Sequence, residues 1–338
     1  MPLYGIGTVS GGGEGHPGLV AAVRSTLRGG DAGSHWAAMT ATPVAALDGL
    51  VLGYSGFRES SGQPVVRREL PTSELVLVLN LAEPLTVHRG SSGAGPTTSV
   101  AFLAGVGHSA VTTGHAGHQV AVEVRLSALA AGAVFGVPAG ALAEQVVELT
   151  ELWGPAASEL VERAAAVSWR DRFDLVEAAL LARVSRAEEM NPVLTGAYRL
   201  LLDRGGDLAV GELERLTGWS RRRLAVTFRE HAGLTPKAMA RLVRFHRAAD
   251  LLAQPGHRSL VSIALSCGYY DQAHFNRGIP RTGVVHADRL PGAAARRHRR
   301  PGTGMSGQGV PAVGGGTDVQ DIRGKPLVAS GHTTGLRS

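Results

Sequence analysis

The chain has 338 residues, which is enough for about two domains. Hydrophobic residues make up 44% of it, yet no run approaches the roughly 18 apolar residues that a membrane-spanning helix needs. We see no secretory leader, and the single cysteine, Cys267, excludes an intramolecular disulfide framework. These features predict a cytoplasmic globular protein that does not interact with membranes.

The charge changes sign along the chain. Up to Met190 we count 12 Lys and Arg against 18 Asp and Glu, a net charge of −6. From Asn191 onward we count 22 against 10, a net charge of +12. This reversal predicts an acidic domain followed by a domain that meets a polyanion.

Residues 1–38 are rich in glycine and poor in large apolar side chains, so they offer little surface to bury on folding. We therefore expect a disordered N-terminal extension over 1–38. Met39 opens the first stretch with the composition of a folded domain. A translation start at Met39 is a hypothesis that follows from this boundary.

Residues 39–190 begin with a pattern typical of short β-strands. The continuous apolar run Leu75–Leu79 predicts a strand covered on both faces. The alternation over Val120–Leu126 predicts a strand with one solvated face. Such strands favour a β-sandwich or a small barrel. The β-rich runs, separated by Gly, Pro and Ser clusters, are Leu50–Phe57, Val65–Leu70, Leu75–Leu81, Val100–Leu103 and Val120–Leu126.

After Ser127 the hydrophobic period becomes helical. Leu129–Phe135 reads as a short helix and Pro155–Val167 as a longer one. Apolar residues then recur every three or four positions from Trp169 to Val184, as on one helix face. That face either packs against the β-rich domain or forms a homodimer contact, and the spacing leaves both open.

A helix-turn-helix pattern follows Asn191. Pro192–Arg204, Gly211–Thr217 and Arg221–His231 read as helices, with Leu213, Leu216, Leu224 and Phe228 supplying the apolar face of the second and third. Gly218 suits the left-handed turn between them, and Ser220 is a good N-cap. Arg221, Arg222 and Arg223 then occupy a first helical turn, where they oppose the helix dipole. Either a polyanionic partner or a solvated basic face accounts for them.

The arrangement repeats after the helical segment Pro236–Ala253. Gly268 corresponds to Gly218 and Tyr269 to Trp219, and a second short helix beginning near Ser262 precedes them. After one extra residue, Asp271 matches Ser220 and Phe275 matches Leu224. Two such units can place recognition helices in successive major-groove segments, about 34 Å apart along the duplex.

Over Pro192–Arg277 the sequence resembles the AraC/XylS family of bacterial transcriptional regulators. The motifs that carry the resemblance are the turn Leu213–Arg222, the segment Phe228–Lys237 and the segment Gly268–Phe275. The resemblance implies a double helix-turn-helix DNA-binding domain over 191–277. It also implies that the β-rich part over 39–190 is a cupin-like domain that binds a small-molecule effector or forms a homodimer. The expected fold is therefore α+β, and the expected protein is a one-component, sequence-specific transcription regulator whose partner is double-stranded DNA.

The family's DNA-facing positions also include Ala225, Val226 and Ala273, which offer only apolar contact. Base reading is therefore assigned to the side chains that can pair bidentately with guanine or adenine, which are Arg222, Gln272, Asn276 and Arg277. Contacts to phosphate are assigned to Arg221, Arg223, Arg229 and Lys237.

The chain departs from the family pattern after Arg277. Gly278 and Pro280 stop the second recognition helix early, and the rest up to Ser338 is rich in Gly, Arg and Pro. We expect an incomplete second unit and a disordered tail over 278–338. Shifting the reading frame by one nucleotide restores most of the family's ending, so a frameshifted tail is a hypothesis that resequencing tests.

Two rival functions stay open. His108, His115, His118 and Glu123 loosely resemble the ligand set of a cupin-type metal enzyme, but Gly114 and Gly117 suggest a loop with solvated histidines. A ligand-binding protein whose DNA binding is impaired by the altered C-terminus is the other. We predict no catalytic residue, metal or cofactor. The charged side chains Arg58, Glu59, Arg67 and Arg68 could line a pocket, although exposure on a sheet face is the default expectation.

Overall fold

The computed structural model describes residues 23–31, 34–89, 95–184, 190–253, 259–270, 275, 319–321 and 326–327. A β-rich N-terminal domain is followed by helices, which among the described residues include a complete helix-turn-helix unit and the first helix and turn of its repeat. The predicted α+β class is therefore confirmed.

Two facing sheets form the N-terminal domain. The strands are β1 Val23–Asp31, β2 Ser34–Ala41, β3 Val51–Ser61, β4 Val65–Glu69, β5 Leu75–Asn80, β6 Leu85–Arg89, β7 Thr97–Ser99, β8 Ala101–Ala104, β9 Val111–His115, β10 His118–Leu126, β11 Val146–Glu148, β12 Val319–Asp321 and β13 Pro326–Leu327. One sheet has the order β1-β2-β3-β10-β5-β8-β11 and the other β13-β12-β4-β9-β6-β7. Among the described residues, the strands pair antiparallel except for β4 and β12, which are parallel.

The helices follow the predicted positions closely. They are α1 Ala139–Leu142, α2 Leu149–Trp153, α3 Pro155–Ala165, α4 Trp169–Val184, α5 Pro192–Asp203, α6 Val210–Thr217, α7 Arg221–Ala232, α8 Pro236–Ala253 and α9 Leu260–Ser266. A 3-10 turn spans Ala45–Leu47, and the helix predicted over Leu129–Phe135 is a π-helical turn over Ala131–Phe135. In the described part of the chain, none of the helices is long and apolar enough to cross a membrane.

The larger sheet has two different faces. Leu75, Leu77 and Leu79 of β5 are fully buried against the helices in the main hydrophobic core. Val76 and Val78 are only half-buried and line a cavity between the sheets. The expectation that this strand is covered by core on both faces is therefore wrong. The face of β10 that carries Glu123 borders the same cavity rather than open solvent.

The expected disorder over 1–38 stays a prediction, and within that range the structure describes β1 and part of β2. β1 and β2 form a hairpin that extends the larger sheet, with Trp36 opposite Glu59 and Ala38 opposite Phe57. Pairing with β3 gives the backbone N–H and C=O groups of β2 hydrogen-bond partners. The glycine-rich composition does not indicate this pairing. A chain starting at Met39 would lack β1 and the first five of the eight residues of β2. Within 278–338, the structure describes β12 and β13, and β12 pairs with β4. The expected disorder of this tail stays a prediction.

Helix α4 packs on the β-rich domain. Phe173, Val176 and Leu180 are fully buried in the main core, so this helix face is intramolecular rather than a dimer contact. Glu177 is also buried, and its Oε1 accepts hydrogen bonds from the Tyr54 hydroxyl at 3.3 Å and the Val44 amide at 2.9 Å. We assign none of the described surfaces to a homodimer, and the homodimer stays a prediction.

The contact between β3 and α4 leaves no room for a side chain at Gly56. A Cβ there would lie 2.6 Å from the Trp169 ring and 3.0 Å from Phe173. We expect Gly56→Ala to lower the free energy of unfolding by about 1–3 kcal/mol, as overpacking does. Gly53→Ala in the same strand is the control, because its Cβ would meet only one atom, at 3.9 Å. Equal urea midpoints for the two variants would contradict this packing.

Candidate DNA-binding surface and interdomain cavity

The first helix-turn-helix unit is built by local sequence signals. Gly218 ends α6 in the left-handed conformation, at a φ of 69°. The Ser220 hydroxyl then caps α7 by accepting a hydrogen bond from the Arg223 amide at 3.3 Å. Leu224 and Phe228 bury the inner face of α7. The opposite face, including half-exposed Val226, is left to solvent.

The three arginines at the start of α7 have different surroundings. Arg221 Nη2 lies 3.1 Å from Glu214 Oε2 on α6. The Arg223 guanidinium lies over the Trp219 ring at 4.4 Å from its centroid. Arg222 is exposed and makes no ion pair or ring contact with any described residue. Arg221 and Arg223 therefore contact other side chains of the protein, whereas Arg222 is available to a partner.

The other residues assigned to DNA in this unit are accessible. Arg229 lies on α7 and Lys237 in the first turn of α8, and both are exposed. Leu216 was predicted as part of the apolar face, which is wrong, since 59% of it is exposed. It lies on the outer side of α6, whereas Leu213 is buried.

The second unit has a small core of its own. Ser259 caps α9 through the Ser262 amide, and Gly268 takes a left-handed turn with a φ of 73°. Tyr269 and Phe275 pack edge to face with their ring centroids 5.1 Å apart, beside buried Cys267. Gln272, Asn276 and Arg277 lie outside the described residues, as does the departure from the family pattern at 278–283.

The candidate metal ligands do not converge. His115 Nε2 lies 3.0 Å from Glu59, whereas His118 is exposed at the start of β10. The His108 amide donates to a Glu144 oxygen, and Glu123 borders the cavity. Among the described residues, no group of three His, Cys, Asp or Glu side chains could hold a metal ion. The expectation that these histidines are solvated is wrong for His115, which is buried at the end of β9.

Two of the four charged strand residues named above, Glu59 and Arg67, belong to a buried polar network. Arg67 donates to Glu59 and lies 3.3 Å from His115 and 3.4 Å from the Gln119 side-chain oxygen. Burial raises the pKa of the Glu59 carboxyl, but the hydrogen bonds and charges of His115 and Arg67 outweigh it and lower the pKa. Exposure as the default is therefore wrong for Glu59 and Arg67. Arg58 is exposed and Arg68 half-buried, as on an ordinary sheet face.

A cavity of about 540 Å³ lies between the two sheets and is closed by helices of the C-terminal domain. Sequence reasoning missed it, because its walls come from strands far apart in the chain. The charged lining residues are Arg67, Glu69, Glu74, Glu123, Arg125, Arg247 and Asp250, and the larger apolar ones are Leu52, Phe57, Leu70, Val76, Val78, Leu85, Phe102, Val111, Leu202 and Val243.

The C-terminal domain is fixed to this cavity at α5 and α8. His246 of α8 lies with its Nε2 2.7 Å from the Pro71 carbonyl oxygen. Burial lowers the pKa of His246, so the ring is neutral at pH 7 and its Nε2–H donates this hydrogen bond. The Tyr198 hydroxyl of α5 accepts from the Ala128 amide at 3.3 Å.

The segment after β8 connects the cavity to α7. Gly105, Gly107 and Ser109 line the cavity, while Val106 between them faces the end of α7. A Cβ at Gly233, the residue after α7, would lie 2.3 Å from Val106 Cγ2. Nearby, a Cβ at Gly140 of α1 would lie 2.6 Å from the backbone oxygen of Arg229. The cavity wall and the recognition helix are therefore in contact through one loop and one short helix.

Comparison with known proteins places a domain on this part of the chain. Residues 213–282 match the model of a family described as "Helix-turn-helix domain". No curated protein matches the sequence. Among solved structures, ToxT from Vibrio cholerae is 10% identical, with a TM-score of 0.42, covering 71% of this chain and 96% of its own. The AraC-like transcriptional activator CuxR is 14% identical, with a TM-score of 0.27, covering 65% and 81%.

The family match coincides with α6 through Phe275, where the turn at Gly218 and its repeat at Gly268 lie. The helix-turn-helix arrangement predicted from the sequence is confirmed for this region. Residues 213–282 are a helix-turn-helix domain.

Proposed function

We propose that this protein is a one-component, sequence-specific transcription regulator that binds operator DNA through its two helix-turn-helix units. The observation that carries the proposal is the surface of α7. A capped, exposed helix start presents Arg222 without a protein partner between two arginines that are held on the protein. The net charge of +12 from Asn191 onward supports a polyanionic partner for this half of the chain.

The roles of the basic residues follow from their surroundings. Arg222 reads a base, because a guanidinium with no competing partner can pair bidentately with guanine O6 and N7. Arg221, Arg223, Arg229 and Lys237 hold phosphates and set the register of the helix on the duplex. In the second unit, Gln272, Asn276 and Arg277 read bases. That assignment rests on the sequence resemblance alone.

The N-terminal domain binds a small-molecule effector in the interdomain cavity. The cavity has a volume common for small-molecule sites, and α8 closes it while also connecting the two DNA-binding units. An effector that binds one arrangement of α8 better than another shifts the population of DNA-binding states. A ligand-binding protein without DNA binding is the second candidate, and a DNA titration separates the two.

Arg222→Ala tests base reading. We expect it to reduce the preference for DNA from the gene's own upstream region over random DNA by about tenfold or more, since a bidentate pair is worth about 1–3 kcal/mol of discrimination. Arg229→Ala should weaken binding to both DNAs alike. Fluorescence anisotropy at two salt concentrations measures this, with exposed Arg163→Ala on α3 as control. If wild type shows no preference for the upstream DNA, the sequence-specific function is wrong.

Gly140→Ala tests the contact between the N-terminal domain and α7. The new methyl group would collide with the backbone of Arg229 and Glu230, so we expect faster amide hydrogen exchange in α1 and at the C-terminal end of α7. Gly196→Ala on α5 is the matched control, because a Cβ there meets nothing within 4 Å. Identical exchange in both variants would contradict the described contact.

A further inference from the structure

The charges that line the cavity are unequally partnered. Arg125 binds both carboxylate oxygens of Glu74, with Nε at 2.7 Å and Nη2 at 2.9 Å. Arg67 is paired with Glu59 in the buried network. Arg247, the third arginine of the lining, is exposed on α8 at the rim. The guanidinium groups of the inner wall are therefore already neutralised by carboxylates of the protein.

Two carboxylates of the inner wall remain. Glu69 of β4 and Glu123 of β10 approach from opposite sheets, and neither forms an ion pair with a described residue. Glu69 Oε1 accepts a hydrogen bond from the Thr113 hydroxyl at 2.9 Å. Burial is the main cause that raises the pKa of Glu69, and the charge of Glu123 also raises it, whereas the Thr113 hydrogen bond and nearby positive charges, that of Arg67 among them, lower it. Both carboxyl groups would gain from a positive charge placed between the sheets.

The rest of the lining suits an apolar body with aromatic contacts. Phe57 and Phe102 lie on the wall of the larger sheet, opposite Leu85 and Val111 of the smaller one. Aromatic faces attract cations as well as apolar groups. At the closed end His246 is neutral and already donates to Pro71, so α8 adds no buried positive charge there.

We propose that the cavity binds an organic cation, an amine or guanidinium group carried on an apolar body, with the charge between Glu69 and Glu123. This proposal rests on the effector-binding role proposed above and specifies its ligand class. An anionic ligand whose charge lies between the sheets would have to take Arg125 from Glu74 or Arg67 from Glu59, because the remaining arginine of the lining, Arg247, is at the rim. Each exchange leaves a carboxylate unpaired in the interior.

A matched probe series tests the ligand class with the full chain. Phenylbutylamine, phenylbutanol and phenylbutyrate share one apolar body and differ in charge, and isothermal titration calorimetry gives their dissociation constants. We expect the amine to bind at least tenfold more tightly than the alcohol, and the carboxylate to bind more weakly than the alcohol, because hydrogen bonds to charged groups are the stronger ones.

The double variant Glu69→Gln/Glu123→Gln should remove the preference for the amine and leave the affinity for the alcohol unchanged. Unchanged binding of the alcohol also shows that the cavity of the variant is folded. Glu162→Gln, an exposed carboxylate on α3, is the control and should behave as wild type. The proposal is overturned if phenylbutyrate binds as tightly as the amine, if the amine does not bind, or if the double variant keeps the preference.

DNA binding by the same preparations, measured without any probe, separates the two proposals. Specific DNA binding with no preference for the amine would remove only the ligand class. Amine binding without specific DNA binding would leave a cation-binding protein and remove the transcription regulator.

Discussion

The position of helix α8 is the constraint on which the rest of the structure depends. Its buried residues, among them Met239, Leu242 and Phe245, pack against neighbouring helices on one side. On another side, Val243 and His246 close the cavity of the N-terminal domain. Any change in the cavity that moves α8 therefore moves the element that connects α7 to α9. The hydrogen bond from His246 to Pro71 fixes this position without placing a charge in the interior.

The two DNA-binding units are held to different degrees. The first unit shares one continuous hydrophobic core with the helices and larger sheet of the N-terminal domain, through Leu224, Phe228 and Ala232. The second has a separate core, in which Ile263, Cys267 and Tyr269 pack with Phe275 against the end of α8. Buried area stabilises in proportion to its size, so the first unit is held more firmly than the second. The position of α9 and of the turn at Gly268 relative to the first unit consequently depends on α8 and a small cluster.

The helices and turns of the C-terminal domain could be predicted from the sequence because local signals determine them. The cavity could not be predicted, because residues far apart in the chain form its walls. Gly218, Ser220 and their repeat at Gly268 fix turns through backbone geometry that neighbouring residues determine. By contrast, Glu59 and His115 are 56 positions apart in the chain. No spacing rule in the sequence predicts that these two side chains are in contact. The glycines on either side of His115 instead predict a loop there. The apolar run predicts that Val76 and Val78 are buried in a hydrophobic core. They line the cavity instead, because apolar side chains suit a cavity wall as well as a core.

The arginines show how one residue type serves two purposes in the two halves of the chain. In the N-terminal domain, Arg67 and Arg125 are enclosed and paired with carboxylates, where they hold strands together and define an uncharged or negative interior. In the C-terminal domain, Arg222 and Arg229 are exposed and unpaired with carboxylates, where they add to a positive surface. The acidic N-terminal half is repelled by a polyanion, so the opposite net charges of the halves also orient the chain on approach.

This distribution gives a physical route from ligand to DNA. The charge of Glu123 acts on the Glu69 carboxyl group from the opposite sheet and disfavours a second negative charge there. Under the proposal above, a cation bound between the two groups would offset this repulsion and would favour whichever arrangement of the sheets and α8 binds it better. Val106, in the loop that lines the cavity, lies against Gly233 at the end of α7. Under the proposed effector role, this contact and the position of α8 are the two routes by which an occupied cavity would act on the first helix-turn-helix unit.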